Sequence, residues 1–413
     1  VSNLQGTNSK LIKIQNQSLV LSVIQQKHAI SRKDIALLTG LTQATITNIT
    51  NNLIQHGLII EVGKDDTSVK SGRKPILLCI NNEKFKILTI YIGRQMLQGG
   101  VSDLSGTLLF KKELQKSIIG QSNAQFARDL IAFIRSIITE AAVDERQILG
   151  IGLSAPGPIN ARNGVFLQMM DRKKGHSSPA PFDWSNIPVK EIIQREFKLK
   201  VYADNEANVS ALAERWFGRG IGIDNFVLYS IGVGIGSGVI IDGMLYRGED
   251  DVVSEIGHIT IDFNGKECIC GNVGCLEHYA SFETLVRNYR ARLGSPDSSG
   301  EPVIPTVEQV FRLAKERDPV ALEVIGETGK FLGIGAVSLA NIYSPELIIL
   351  AGNDAGDIDL GLFVDQIQRA IKQRAFSVIA DKVEITHSLL GPYNHLYGGI
   401  ALVLQEYFSR IED

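Results

Sequence analysis

Three of the four cysteines in this 413-residue chain fall within eight residues, in the stretch CICGNVGC at 268–275. Such a cluster can serve as a disulfide, a redox pair or a metal site. Cys268 and Cys270 are separated by a single residue, a poor geometry for bonding to each other. Cys275 follows five residues after Cys270, on a loop that carries glycine. Three thiolates on such a loop suit a tetrahedral metal that needs one more ligand, and His258, ten residues upstream of Cys268 in EIGH, would complete a Cys3His set. A closed four-ligand site has no open coordination position, so the metal would be structural rather than catalytic. The fourth cysteine, Cys79, sits alone in the apolar run ILLCI. Few cysteines in a long chain, and a polar start (VSNLQGTNSK) with no apolar stretch of signal-peptide type, read as a reducing cytoplasmic setting rather than a disulfide framework. The longest apolar runs, such as Ile348–Ala351, are far too short to span a bilayer, so no membrane partner is expected.

A second kind of chemistry lies near the start. The whole chain carries a net charge of −3. Residues 1–75 hold nine basic and four acidic side chains, a net +5, which leaves −8 for the remainder. A basic head on an acidic body is the asymmetry expected when only the head touches nucleic acid. Ser31-Arg32-Lys33-Asp34 has the Ser-x-x-Asp pattern that opens a helix. Ile35 and Leu38, three apart, are expected to form its buried stripe, and Gly40 suits a left-handed turn at its end. Thr42 then caps a second helix to about His56, with Ile46, Ile49 and Leu53 on its core face. The opposite face shows Gln43, Thr45, Thr47, Asn48, Asn51 and Asn52. Asn and Gln can pair bidentately with adenine in the major groove, and Thr can meet a thymine methyl. An apolar-periodic helix around Lys10–Gln26 precedes both, with Leu11, Ile14, Leu19, Val23 and Ile24. This is a helix-turn-helix in a three-helix setting. Strands at Leu58–Val62 and Ile76–Ile80 enclose the polar loop GKDDTSVKSGRKP, a wing whose Lys70 or Arg73 could lie along a phosphate or in the minor groove.

From about Phe85 the pattern becomes an alternation of β-runs with Gly-rich turns and helices, an α/β arrangement. SAPGPI, DNEANVSALAE, SIGVGIGSGVIIDGMLYRG, SEIGH and CICGNVGCLEHYAS occur in that order and with the spacing of the ROK family, which the chain resembles over nearly its whole length. EIGHITIDFNGKECICGNVGCLEHYAS and DNEAN are most similar to the xylose-repressor branch. The resemblance implies a winged helix-turn-helix at 1–82 and an actin-like (ribonuclease H-like) two-lobed sugar-kinase fold behind it. The first lobe is expected at 83–200, completed by the C-terminal helix 394–413, and the second lobe, with the metal loop, at 201–393. It also implies Zn2+ on His258, Cys268, Cys270 and Cys275, and a sugar pocket built from Gly157, Asn205, Glu206, Glu255, His258 and Glu277. His258 would then serve twice, one ring nitrogen on the metal and the other near the sugar. Where family members usually offer an Asn before the lid tryptophan, this chain has Asp183 before Trp184, and the lid MMDRKKGHSSPAP at 169–181 is unusual too.

A ROK kinase needs an Asp as general base where Glu206 stands, an Asp-x-Gly-Gly-Thr phosphate loop, and a Thr in a second Gly-rich loop. This chain has the longer Glu206, reads YIGRQ at 91–95, and has Val233 in GVGIGSG. A displaced base, bulky side chains where backbone amides would meet phosphates, and a methyl in place of a hydroxyl all point to a sugar-sensing switch without kinase activity. The expected partners are operator DNA, a monosaccharide effector and a second copy of the chain, as a homodimer or a dimer of dimers. An active kinase with a DNA-binding head, or a regulator controlled by a protein partner, are the alternatives.

Overall fold

The computed structural model of the protein describes residues 9–64, 75–117, 121–167, 186–249, 251–293, 305–352 and 358–408. Lys70, Arg73, the stretch 169–181, Asp183 and Trp184 therefore lie outside the described residues. Among the described residues no helix is long and apolar enough to cross a membrane.

The N-terminal module has helices Ser9–Lys27, Arg32–Thr39 and Gln43–Gln55, with a three-stranded antiparallel sheet in the order Ile30–Ser31, Ile76–Ile80, Ile59–Lys64. Both caps read from the sequence are present. The Ser31 hydroxyl accepts the Asp34 N–H at 3.2 Å, and Thr42 accepts the Thr45 N–H at 3.2 Å. Gly40 is left-handed at φ 70°, and its N–H reaches the Ala36 carbonyl. The core of the module is Val20, Leu21, Ile24, Ile35, Ile46, Ile49 and Leu53. Leu38 does not belong to it. It is 57 % exposed and Leu37 73 %. A helix of eight residues presents little more than two turns to the core, and Ile35 with the partly buried Ala36 fills that contact instead.

The body consists of two α/β lobes with the same sheet plan. In the first, Leu108–Gln115, Met96–Ser102 and Lys86–Ile92 form an antiparallel meander, continued in parallel by Ile148–Ala155 and Val201–Asn205. In the second, Met244–Leu245, Ile235–Ile241 and Phe226–Ile231 form the meander, continued in parallel by Leu347–Gly352 and Glu384–His387. The strand Val201–Asn205, grouped by sequence with the second lobe, is the edge strand of the first, because its backbone hydrogen bonds go to Ile148–Ala155. The crossing into the second lobe is made by the next element, the helix Glu206–Phe217.

That helix is wedged between the helix Asn394–Phe408 and the strand Ile235–Ile241, and glycine makes the fit possible. A Cβ on Gly238 would land on the Ala207 carbonyl oxygen, and one on Gly398 would land on the Val209 carbonyl oxygen. Both obstacles are backbone, which cannot rotate away. Gly238→Val is therefore expected to destabilise the fold by about 1–3 kcal/mol through overpacking, read as a lower denaturation midpoint in urea. An unchanged midpoint would mean that helix and strand can move apart freely.

Candidate functional site

The cleft between the lobes, about 340 Å³, lies at the N-terminal end of the helix Glu206–Phe217. Gly157, Asn205, Glu206, Glu255, His258 and Glu277, all named from the sequence, line it together. The strand-to-helix turn positions the first pair. Asn205 caps the helix, its Oδ1 accepting the Ala207 N–H at 2.8 Å, while its Nδ2 donates to the Gly157 carbonyl at 2.7 Å. The same side chain thus fixes the helix start and the Gly157 turn, where φ is 88°. Glu206 accepts the Tyr91 hydroxyl at 3.1 Å. Tyr91 is buried, and its ring stacks on that of His395 with centroids 4.1 Å apart. The Nδ1 of His395 lies 3.2 Å from the Ser210 hydroxyl. A relay of buried side chains therefore stands behind Glu206.

The second lobe supplies the other wall. Glu277 Oε2 accepts the backbone N–H of Ile235 at 3.0 Å, so an amide of the second Gly-rich loop is held by a carboxylate. Burial pushes the Glu255 carboxyl up; His258 opposes this and Glu277 adds to it. Carboxyl and imidazole groups converging on one cleft can hold hydroxyl groups by hydrogen bonds. Arg94 also lines the cleft, at the turn where the sequence comparison expected a glycine.

Sequence reasoning missed the groups that tie the two walls. Arg247 pairs with Asp204, whose side chain is fully buried. Asp204 also accepts the Asn208 Nδ2 at 3.0 Å, immediately beside Asn205 and Glu206. Burial works against the charge of Arg247, but Asp204, with Asp251 and Glu406 behind it, outweighs this and raises the guanidinium above its ordinary value. Asp251 Oδ2 accepts the Ala161 N–H at 3.1 Å, a second link from the second lobe to the first. The only sequence signal was an arginine in LYRG, which could equally have been a surface residue.

The Cys/His cluster borders the same cleft. The ligand atoms of His258, Cys268, Cys270 and Cys275 all lie within 4.8 Å of one another. Cys268 Sγ is 3.6 Å from His258 Nδ1, and Cys270 Sγ is 3.7 Å from Cys275 Sγ. Metal bonds of about 2.3 Å to sulfur and about 2.0 Å to nitrogen put S···S near 3.8 Å and S···N near 3.5 Å on a tetrahedron, so the donor set fits a tetrahedral ion. His258 turns Nδ1 to the sulfurs, and the same residue lines the cleft. Burial, and behind it the neighbouring thiols, pushes the Cys275 thiol up, a trend that a bound cation reverses. The knuckle is held by Asn272, whose Nδ2 donates to the His258 carbonyl at 2.9 Å.

In the N-terminal module the second helix of the pair exposes Gln43, Thr47, Asn48 and Asn51, and also Ala44, an apolar side chain that sequence reasoning passed over. Thr45 is half-buried, with its hydroxyl 2.9 Å from that of Thr42. Asn52 is half-buried and accepts Gln17 Nε2 at 3.4 Å. Arg32 donates to Thr50 at 2.9 Å and to Asn51 at 3.3 Å, and pairs with Glu61 at 3.0 Å.

Removing Arg247 leaves Asp204 buried without its counter-charge. Arg247→Ala is expected to cost about 3–5 kcal/mol, measured by chemical denaturation. Asp204→Asn should cost clearly less, because it removes the buried charge. Equal losses would contradict a buried ion pair.

The chain is 34% identical over 407 residues to the xylose repressor of Caldicellulosiruptor bescii, covering 97% of this chain and 98% of the relative. Its structure is similar to that of a ROK family transcriptional regulator, a homologue of the E. coli MLC protein, with a TM-score of 0.77, 29% identity, and coverage of 96% of this chain and 97% of the other. It is also similar to a ROK family glucokinase from Streptomyces griseus, with a TM-score of 0.62, 25% identity, and coverage of 76% of this chain and 97% of the other. The ROK family model matches residues 87–406, which take in both lobes, the cleft and the Cys/His knuckle, and the chain belongs to the ROK family.

Proposed function

We propose that the protein is a sugar-responsive transcriptional repressor of carbohydrate-utilisation genes, binding operator DNA as a homodimer through its N-terminal winged helix-turn-helix. The observation that carries this is the convergence of Asn205, Glu206, Glu255, His258 and Glu277 in one cleft, behind a basic module with an exposed amide- and hydroxyl-bearing helix face. The effector is a monosaccharide, with xylose the first candidate because of the likeness to a xylose repressor. Sugar binding favours one lobe arrangement over the other, and the free energy available for regulation is the difference in sugar affinity between the two. DNA-reading helices of a symmetric dimer then match half-sites one or more helical turns apart in only one arrangement.

Several features speak against phosphoryl transfer. Tyr91 occupies the phosphate-loop position of the acid and ties Glu206. Arg94 stands where a loop glycine would, and the Ile235 amide is engaged by Glu277. The fold likeness to a glucokinase keeps kinase activity a reading to test: incubation with ATP and the same sugars should give no turnover, and turnover with any of them would establish the enzyme.

Fluorescence anisotropy of DNA from upstream of the gene itself, titrated with protein and a panel of sugars, tests the main reading. One sugar is expected to weaken DNA binding at least about tenfold, within the usual range of allosteric coupling. Glu277→Gln should keep the DNA affinity and lose the response. Tight DNA binding that no sugar moves would sink the sugar reading and favour control by a protein partner.

The Cys3His set is read as a structural zinc site. When bound, zinc would cross-link the knuckle and fix one tautomer of His258. Metal analysis should find about one zinc per chain. Cys275→Ser should weaken zinc by more than the ~10–100-fold that loss of an outer-shell partner costs, and should lower the thermal midpoint. Metal-free protein with an unchanged midpoint would exclude a structural role.

A further inference from the structure

The two lobes repeat one sheet plan, so each has an equivalent hairpin: Met96–Ser102 with Leu108–Gln115 in the first, and Ile235–Ile241 with Met244–Leu245 in the second. The N-terminal helix Ser9–Lys27 holds the turns of both. Gln25 Nε2 donates to the Ser105 carbonyl in the first hairpin turn, and Gln15 Nε2 donates to the Asp242 carbonyl in the second at 2.8 Å. Ten residues of helix separate these anchors, about 15 Å along the axis.

Neither turn is loose. Asp103 Oδ1 accepts the N–H groups of Ser105 at 2.9 Å and Thr107 at 3.0 Å, together with the Ser105 hydroxyl at 2.6 Å. The Asp242 N–H donates to Asn225 Oδ1 at 3.0 Å, and the Gly243 N–H donates to the Asp224 carbonyl at 2.8 Å. Each turn therefore moves with its own lobe.

The helix Glu206–Phe217 ends at the same place. Its first residue lines the cleft. At its other end the ring of Phe217 lies against Gly106 of the first turn, and Arg215 lies beside Gly243 of the second. Trp216 stacks on Phe408, with centroids 6.1 Å apart, in the apolar cluster that also contains Val20, Leu21 and Ile24 of the N-terminal helix. From there the path to the DNA-reading face is short: the N-terminal helix shares its core with Ile46, Ile49 and Leu53, and Gln17 donates to Asn52.

We propose that the helix Ser9–Lys27 is a strut pinned to both lobes at once, and that Gln15 and Gln25 are the positioning residues through which lobe rotation at the cleft reorients the DNA-reading helix. This deepens, and rests on, the reading of the protein as a sugar-responsive repressor. A rigid helix of fixed length cannot follow two turns that move apart, so a change in lobe angle must release one pin or swing the module. Both sites thereby bias one two-state element, which is what coupling between them requires. Linkage makes the effect reciprocal, so DNA must act back on the two turns.

The test uses the full chain and the variants Gln15→Ala, Gln25→Ala and the double substitution, with their thermal midpoints checked against the parent. Hydrogen exchange is followed at 103–107 and 242–244, with and without the upstream DNA fragment and without sugar; anisotropy then gives DNA affinity with and without each sugar. In the parent, DNA is expected to change exchange in both turns. In the double variant that change should vanish, DNA affinity without sugar should stay within about threefold, and the sugar effect on it should fall about tenfold, a size set by ordinary coupling energies. Turns in the parent that ignore DNA overturn the strut, as does a double variant that keeps in full a sugar response shown by the parent. If the turns respond to DNA while no sugar alters DNA affinity in the parent, the strut stands and the sugar reading falls.

Discussion

The placement of the helix Glu206–Phe217 depends on side chains that are missing. Gly238 on one flank and Gly398 on the other bring it to backbone contact with the strand Ile235–Ile241 and the helix Asn394–Phe408. A second approach of the same kind, Gly152 against the Gly399 backbone, seats the C-terminal helix on the first sheet. With no Cβ in the way, the two lobes close on a single rod that runs from the cleft to the two hairpin turns. Asn205 and Glu206 stand at one end; at the other, Arg215 and Phe217 lie against the two hairpin turns and Trp216 shares an apolar cluster with the N-terminal helix. A rotation of one lobe against the other has to roll over this rod, because close-packed interiors shift between discrete arrangements rather than deform smoothly.

The charges of the cleft are matched group by group. The cleft gathers Glu206, Glu255, Glu277 and Asp251, a concentration of acid that would repel itself if all were ionised and unpartnered. Each has an arrangement that relieves this. Glu206 accepts from Tyr91, Glu277 from the Ile235 amide, and Asp251 from the Ala161 amide, while burial pushes the Glu255 carboxyl up. Asp204 beneath them is matched by Arg247 from the opposite lobe. Carboxylates held in this way are pre-organised for hydroxyl groups, and much of the ordering cost of binding is already met.

The Cys/His knuckle belongs to this economy. It lies between Glu255 and Glu277 in the chain and contributes His258 and Cys270 to the cleft wall. Its backbone is too short and irregular to have a core of its own. Gly274 approaches the Asp262 carbonyl so closely that no side chain would fit. Asn272 spans the knuckle, and a four-ligand donor set closes it. A metal held there would keep two cleft-lining residues in register where hydrophobic burial alone cannot.

What the sequence determined by itself was local chemistry and repeated spacing. Ser31, Thr42 and Gly40 cap and end their helices as their side chains dictate, since the partner of each is a backbone group at most four residues away. The cysteine spacing named the donor set, and the ordered motifs named the pocket residues that meet in the cleft. The tertiary structure decided what depends on distant partners. Leu38 is exposed because the core already had Ile35 and Ala36 to fill it. Val201–Asn205 joined the first sheet because Ile148–Ala155 offered it an unpaired edge. Tyr91 reads in the sequence as a lost acid, yet it is a hydrogen-bond donor to a glutamate 115 positions away. Gln15 and Gln25 carried no local mark, and Arg247 only its place in LYRG. A long polar side chain looks the same in sequence whether it faces water or a carbonyl on another lobe, and only the folded path of the chain brings that carbonyl within reach.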